Sequence, residues 1–405
     1  MGPANLERDE PEEADWAVPH PAAGTSPASW AGWVAAKNSK ARTKNRWREL
    51  AELDALGPRG HLDGQPVVSF SSNDYLGLSC HPRVLAAAHD ALDRWGAGAG
   101  ASRLIGGSRP VHQELEAELA AWKAADKALV FPSGFATNLG VLAALAGPEV
   151  LICGDALNHA SIIDGCRLAG ALGASFSTYP HRDHEAATAL VGRWPGRAVV
   201  VTDTVFSMGG DCAPVVELAE ACARHGALLV LDEAHAVLGP HFGPLPGPVL
   251  RVGTLSKMLG SQGGFVAGPR DMVDMLVNRC RSFIFTTGLA PASAAAALAA
   301  LGVLRSEEGA QLVARLERFA REVLPGRPEP SPIVAVVTGS ETSAVAASAA
   351  LLARGLYVPA VRPPTVAPGS SRLRVSLSAA HAEAEVTSLV AALDDLGLAP
   401  SSRPV

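Results

Sequence analysis

The feature that most constrains this chain is a series of short, almost wholly apolar runs separated by helix-length segments. Ala128-Leu129-Val130-Phe131, Val150-Leu151-Ile152-Cys153, Ala198-Val199-Val200-Val201-Thr202, Ala227-Leu228-Leu229-Val230-Leu231, Val249-Leu250-Arg251-Val252 and Gly264-Phe265-Val266-Ala267 have the length of strands and no polar face. Such strands must be covered on both sides, and the segments between them supply the covering helices. The pattern therefore predicts an α/β fold with a mostly parallel sheet. Val111, Leu115, Leu119 and Trp122 repeat at helical spacing, and residues 215–224 read as another helix. Beyond Pro291 the character changes, with helices to about 322, an alanine-rich run suited to tight packing among them. Strands at 333–337 and 372–377 follow with a helix between, a smaller C-terminal α+β unit. The expected organisation is a tail over 1–36, an N-terminal segment over 37–75, a large domain over 76–288 and a small domain over 289–405.

With 405 residues, 48% of them hydrophobic, the chain can bury more than one core. A formal charge of −6 offers no counterion-releasing surface, so nucleic acid is not an expected partner. The six cysteines, with no CxxC and no paired histidine, read as reduced and mostly buried thiols rather than disulfides or a metal site. No stretch approaches the apolar length of a membrane span and the N-terminus lacks a signal-peptide core. The expectation is a soluble cytoplasmic protein. Residues 1–28, with Glu7, Asp9, Glu10, Glu12, Glu13 and Asp15 against Arg8 alone, read as a flexible tail; the basic run 37–48 can be helical.

In open α/β sheets, ligands bind beyond the carboxyl ends of the strands, and four polar segments fall there. Pro132-Ser133-Gly134-Phe135-Ala136-Thr137-Asn138 turns a strand into a helix through small residues, aiming free N–H groups and a helix dipole at an anion such as a phosphate. Asp232-Glu233-Ala234-His235 ends a buried strand with groups that need partners. The polar loop 202–211 and the segment Gly253-Thr254-Leu255-Ser256-Lys257 complete the set. A lysine amine, a carboxylate and a phosphate-binding helix start converging at one sheet edge are what pyridoxal 5'-phosphate requires.

Six motifs carry a resemblance: Ser71-Ser72-Asn73-Asp74-Tyr75-Leu76-Gly77-Leu78, Ser133-Gly134-Phe135-Ala136-Thr137-Asn138, Asn158-His159-Ala160-Ser161, Phe206-Ser207-Met208, Asp232-Glu233-Ala234-His235 and Thr254-Leu255-Ser256-Lys257. In this order, from about residue 46 to about 395, the chain resembles the α-oxoamine synthase family of fold-type I pyridoxal phosphate enzymes. Val361-Arg362-Pro363-Pro364-Thr365-Val366 with Arg372-Leu373-Arg374 most resembles its biotin-pathway branch.

The resemblance implies roles for particular residues. Lys257 would hold the cofactor aldehyde and shuttle the α-proton, Asp232 would pair with the pyridine nitrogen, and His159 would stack on the ring. His235 and Ser207 would bond the ring hydroxyl, with Ser133, Gly134, Phe135 and Thr254 near the phosphate or ring. Thr287 would reach a neighbouring subunit's phosphate, implying a homodimer with shared sites. Arg374 would clamp the amino-acid carboxylate, assisted by Asn73, and Thr365 with Arg46 or Arg48 would line the acyl-donor side. The implied partners are L-alanine and pimeloyl-CoA or pimeloyl-acyl carrier protein, condensed with loss of CO2. Relatives that use glycine or serine with other acyl-CoAs are the alternative, and a non-catalytic subunit of the same fold is the remote one.

Overall fold

The computed structural model describes residues 29–44, 46–398 and 400; the expected flexible tail over 1–28 lies outside the described residues. The chain divides into two units, 1–49 and 50–405. In the first, helix α1 (Trp30–Thr43) starts where the Ser29 side chain accepts the Gly32 N–H at 3.1 Å. It begins ahead of the boundary expected at 36, because an N-cap serine precedes a run with no glycine or proline after Gly32.

The second unit opens with strands β1 (Leu53–Leu56), β2 (Arg59–Leu62) and β3 (Gln65–Ser69), joined as antiparallel hairpins. Helices α2 (Pro82–Trp95) and α3 (Pro110–Trp122) follow, each with proline in its first turn, where a missing N–H costs nothing. The main sheet then forms from β4 (Lys127–Phe131), β5 (Val150–Asp155), β6 (Ser175–Tyr179), β7 (Arg197–Asp203), β8 (Leu228–Asp232), β9 (Val249–Thr254) and β10 (Gly264–Gly268). Its order is β4-β10-β9-β8-β7-β5-β6. All neighbours run parallel except at β10, which is antiparallel to both β4 and β9. The sheet is thus mixed, with one reversed strand, because the short turn 255–263 joins β9 to β10 directly, with no crossover helix.

Helices α4 (Gly134–Ala144), α5 (Ala160–Ala171), α6 (His184–Arg193) and α7 (Val215–His225) connect these strands, and with α8 (Arg270–Arg279) and α9 (Arg281–Ile284), which follow β10, they cover the sheet. Phe131, Ile152, Val201, Val230, Val266 and Phe283 share one core cluster; Leu151, Val200, Leu229, Leu218 and Cys222 form another. Strand β6 escaped the sequence reading because, as the edge strand, it alternates with exposed positions at Phe176 and Thr178 instead of running apolar throughout.

Next come α10 (Pro291–Leu304) and α11 (Glu307–Val323). Buried Ala294, Ala297 and Ala300 let α10 lie close against the chain around it. The C-terminal part holds β11 (Ile333–Gly339), α12 (Glu341–Leu352), β12 (Leu356–Tyr357), β13 (Ala360–Val361), β14 (Ser371–Ser376) and α13 (Glu383–Asp395). It forms the sheet β11-β14-β13 and lends β12, parallel to β3, to the N-terminal sheet. Phe70, Tyr75, Leu115, Leu316, Phe319 and Leu373 belong to one continuous core, so this part is packed onto the main sheet rather than tethered to it. The six cysteines are free, and five are buried.

Candidate active site

Four strands of the main sheet end in polar residues on one edge: Asp155 on β5, Asp203 on β7, Asp232 on β8 and Thr254 on β9. Asp203 and Asp232 are partners in register on neighbouring strands, and both are buried. Asp232 accepts the Asn138 side-chain N–H at 2.6 Å and the Ala234 N–H at 2.9 Å. Asp203 accepts the His159 N–H at 2.6 Å, and burial together with the Asp232 charge pushes its carboxyl well above the usual range. The next residue, Glu233, is neutralised by Lys123 at 2.6 Å and Arg251 at 2.9 Å. Among the described residues Asp232 has no such ion pair, so its carboxylate can meet a cationic group of a ligand.

Lys257 stands in the turn after β9, its amine 2.8 Å from His235 Nε2. Burial lowers its pKa, with Arg374 acting the same way and Asp232 and Asp203 opposing. The turn fits its place because Gly260, at φ +56°, would put any Cβ onto Ser79 N at 2.2 Å. His235 is buried and held well below the usual imidazole range by desolvation and by Lys257, Arg374 and His159. Its Nδ1 lies 2.6 Å from the Tyr75 hydroxyl. His159 caps α5, accepting the Ser161 N–H at Nδ1, and burial lowers its pKa as well.

Ser133 caps α4, accepting the Ala136 N–H at 3.1 Å. This leaves the first N–H groups of the helix, on Gly134 and Phe135, without intrahelical acceptors and at the positive end of the dipole. A Cβ on Gly134 would stand 3.3 Å from Thr254, and one on Gly264 would collide with Gly134 N at 2.6 Å, so two glycines keep this helix start seated against β9 and β10. Thr254 Oγ1 bonds Gly263 O at 2.9 Å and Ser256 Oγ at 2.7 Å.

The opposite wall comes from β14. Arg374, 7% exposed, donates to Ser207 O at 2.6 Å, Ser376 Oγ at 2.6 Å and Asn73 Oδ1 at 3.1 Å. Arg372 donates to Met208 O at 3.3 Å and Arg327 to Gly209 O at 3.1 Å. Three arginines of the C-terminal part thus hold three successive carbonyls of one turn. The far end of that turn is fixed by His181, whose Nδ1 meets Asp155 at 3.0 Å and whose Nε2 meets Asp211 at 2.7 Å.

The structure therefore links Lys257, His235, Asn73, Ser207 and Arg374 by hydrogen bonds, and sets Asp232, His159, Ser133, Gly134, Phe135 and Thr254 at the same sheet edge. Thr287 is exposed in the segment after α9, and Thr365 is exposed between β13 and β14. Arg46 and Arg48 follow α1 in the first unit, where the Arg46 N–H donates to Ala41 O at 2.8 Å. Sequence reasoning singled out Asp232 but gave no role to Asp203, which ends its strand in the same way. It quoted Asn138, Ser161 and Tyr75 within motifs without assigning them; the signal was a hydrogen-bonding side chain inside an otherwise apolar, buried stretch.

The donor set suits pyridoxal phosphate: an amine with a lowered pKa, a buried carboxylate held by two N–H groups, an open helix N-terminus with a hydroxyl beside it, and an imidazole capping the helix that follows β5. Comparisons with known proteins agree. An 8-amino-7-oxononanoate synthase from Anaeromyxobacter sp. (strain K) is 47% identical over 378 residues, covering 89% of this chain and 94% of the relative. One from Methylobacterium sp. (strain 4-46) is 50% identical over 370 residues, covering 87% and 96%. Among solved structures, a lysine-to-alanine variant of serine palmitoyltransferase from S. paucimobilis, with bound PLP and myriocin, aligns with a TM-score of 0.82 at 30% identity, covering 90% of this chain and 98% of that one. The model of "Aminotransferase class I and II" matches residues 65–393, and the chain belongs to that family of pyridoxal phosphate enzymes.

Proposed function

We propose that this protein condenses L-alanine with a pimeloyl thioester, carried on CoA or on acyl carrier protein, releasing CO2 and thiol and forming 8-amino-7-oxononanoate for biotin synthesis. The observation that carries the reading is the Lys257 amine, set beside neutral His235 at the sheet edge where Asp232 ends β8, in a chain about half identical to synthases of that name. When bound, pyridoxal phosphate supplies an aldehyde for the amine and a protonated ring that takes up the electron pair left by the α-proton. Lys257 would hold that aldehyde and, once freed by the substrate amine, accept the α-proton; its lowered pKa favours the neutral form a base needs. Asp232 would keep the pyridine nitrogen protonated, a charge-assisted bond of about 1.5–3 kcal/mol.

Gly134 and Phe135 N–H groups with Ser133 and Thr254 would bind the phosphate, His159 would cover the ring, and His235 and Ser207 would bond its hydroxyl. The planar Arg374 guanidinium, with Asn73, would hold the alanine carboxylate in two parallel bonds. Thr365, with Arg46 or Arg48, would meet the acyl donor.

A homodimer completes the reading. Leu104, Ile105, Phe135 and Phe285 are 46–84% exposed on segments that contact one another, an apolar patch beside Thr287 suited to a second copy. Among the described residues no helix is long and apolar enough to cross a membrane, which is compatible with action in the cytoplasm.

The test is the visible spectrum of the purified protein with added pyridoxal phosphate, then product mass with pimeloyl-CoA and L-alanine, glycine or L-serine in turn. A cofactor band shifted by L-alanine and a product of the 8-amino-7-oxononanoate mass are expected. A response confined to glycine or serine would move the substrate to the relatives that use those amino acids with other acyl-CoAs, and no cofactor band would end the enzymatic reading.

A further inference from the structure

The connection from β8 to β9 differs from those before it. Helices α5, α6 and α7 link β5, β6, β7 and β8 in turn, but residues 233–248 join the parallel strands β8 and β9 with no helix among them. A parallel connection ordinarily lays a helix over the strands it joins. Here that part of the sheet face holds a cavity of about 340 Å³ instead, walled by the end of α3, the corner between α10 and α11, and the connecting loop. We infer that this cavity is a binding site for a small organic carboxylate with an apolar body, separate from the catalytic edge and backing onto it.

Three neighbouring strands turn polar side chains into the cavity. Thr204 and Glu233 directly follow the register partners Asp203 and Asp232, and Arg251 is the partner of Leu231, two residues before Glu233, so all three share one face of the sheet. Thr204 is wholly buried, and among the described residues its Oγ1 has no hydrogen-bond partner. A buried hydroxyl left unpaired costs stability, and this one lines a cavity where a ligand can pair it. Glu233 gives one oxygen to Lys123 at 2.6 Å and the other to Arg251 at 2.9 Å, so two cations share one anion. Arg305, exposed at the mouth, is balanced by Glu118 at 2.6 Å. Asp126 lies in an adjoining hollow of about 570 Å³ that shares Trp122, Lys123, Phe242 and Arg251 with the cavity. The cavity wall itself thus carries one positive charge more than negative. Arg251 spends only an Nη1–H on Glu233 and keeps the rest of its planar fork for a carboxylate.

The rest of the lining is apolar, which sets the body of the ligand. Val237 and Met258 are buried, and Leu304 and Val313 face them from α10 and α11. The Lys123 amine stands 3.6 Å from the Trp122 ring and the Arg251 guanidinium 5.0 Å from that of Phe242, so each cation has an aromatic surface beside it. The site backs onto the chemistry through the chain itself. Thr204 follows Asp203, Val237 lies two residues beyond His235, and Met258 follows Lys257.

The test is direct binding, and it needs no turnover. The full chain with added pyridoxal phosphate is titrated with 4-bromobenzoate by calorimetry, and a crystal soaked in the same compound is measured at the bromine absorption edge. One saturable site is expected, with a bromine peak among Trp122, Phe242 and Val313. Thr204→Val keeps the shape of the side chain and removes only the hydroxyl, so binding should weaken about three- to tenfold. Arg251→Gln should weaken it about ten- to a hundredfold, the range of a charge-assisted bond. Val313→Trp fills the cavity from α11 and should abolish binding, which covers the case of an Arg251 variant that fails to fold around Glu233. 4-Bromobenzamide has the same shape without the charge and should bind at least about tenfold more weakly. Equal affinity for the amide, an affinity that Thr204→Val and Val313→Trp leave unchanged, a bromine peak only at Arg374, or no saturable binding would each overturn the site. The proposed condensation stands or falls on its product assay whichever result is found here.

Discussion

Two imidazoles at the same sheet edge have opposite surroundings. His181, two residues beyond β6, places each ring nitrogen against a carboxylate, and only the doubly protonated ring has two N–H groups to give them. Its pKa rises to about 9, with the Asp155 and Asp211 bonds outweighing burial. His235, three residues beyond β8, faces an amine and a phenol and is held neutral by desolvation, with Lys257, Arg374 and His159 acting the same way. One histidine is a fixed charge that holds a turn; the other keeps a lone pair that can change partners. The residue type is shared, and the carboxylates or cations around it decide the role.

Removing His181 is the strongest way to break this contrast. His181→Leu would leave Asp155 and Asp211 facing each other across a gap lined by Phe206, whose ring stands edge-on to His181 at 4.3 Å. The expected cost is about 3 kcal/mol of stability, read as a lower denaturation midpoint. An unchanged midpoint would mean that the two carboxylates do not depend on the ring.

His235→Gln should do the reverse. Its effect belongs to turnover, a loss of about 10- to 100-fold from one charge-assisted hydrogen bond at Lys257, with a denaturation midpoint close to the parent's. A stability loss as large as that of His181→Leu, with turnover retained, would abolish the distinction.

The contrast was only partly legible in the sequence. His235 lies three residues from an aspartate at the end of an apolar strand, so proximity along the chain announced it. His181 follows an edge strand whose alternating pattern gave no sign of a buried end, and its partners Asp155 and Asp211 lie 26 and 30 residues away. The main sheet could be read, apart from its edge strand β6, because its other strands are almost wholly apolar. The hairpins β1 and β2 could not, since β1 is fully exposed and β2 buries only Leu62. In the site, residues that end strands or open helices were found. Those that act by reaching across, such as Tyr75 to His235 over 160 positions, depend on packing that no local pattern encodes.

A smaller effect separates the two histidines by pH. The folded pKa of His181 lies above its unfolded value of about 6.5, so its stabilisation is complete below that pH and is lost as pH rises through about 9. For His235 the folded pKa is depressed, so stability falls as pH drops below about 6.5, where the unfolded chain takes a proton that the folded chain refuses. The stability gap between the parent and His181→Gln should therefore shrink between pH 7 and pH 9.5. Against His235→Gln, the parent should lose ground only below pH 6.5. Gaps that ran parallel across the whole range would show that neither ring titrates as its surroundings dictate.

The finest test keeps the His181 ring and alters one of its two charges. Asp211→Asn preserves an oxygen that can accept the Nε2–H but removes the second carboxylate, while Asp155 continues to hold Nδ1 along with the N–H groups of Leu157 and Arg182. The His181 pKa should drop from about 9 yet stay above the unfolded value, so the alkaline loss of stability begins earlier and totals about 1 kcal/mol less. Asp211 also accepts nothing from the arginines that grip Ser207, Met208 and Gly209, so those three contacts should survive and the KM for the amino acid should change less than twofold. A larger rise in KM would mean that the imidazolium sets the position of Ser207 and Arg374 directly. The division between a structural and a chemical histidine would then fail at the turn they share.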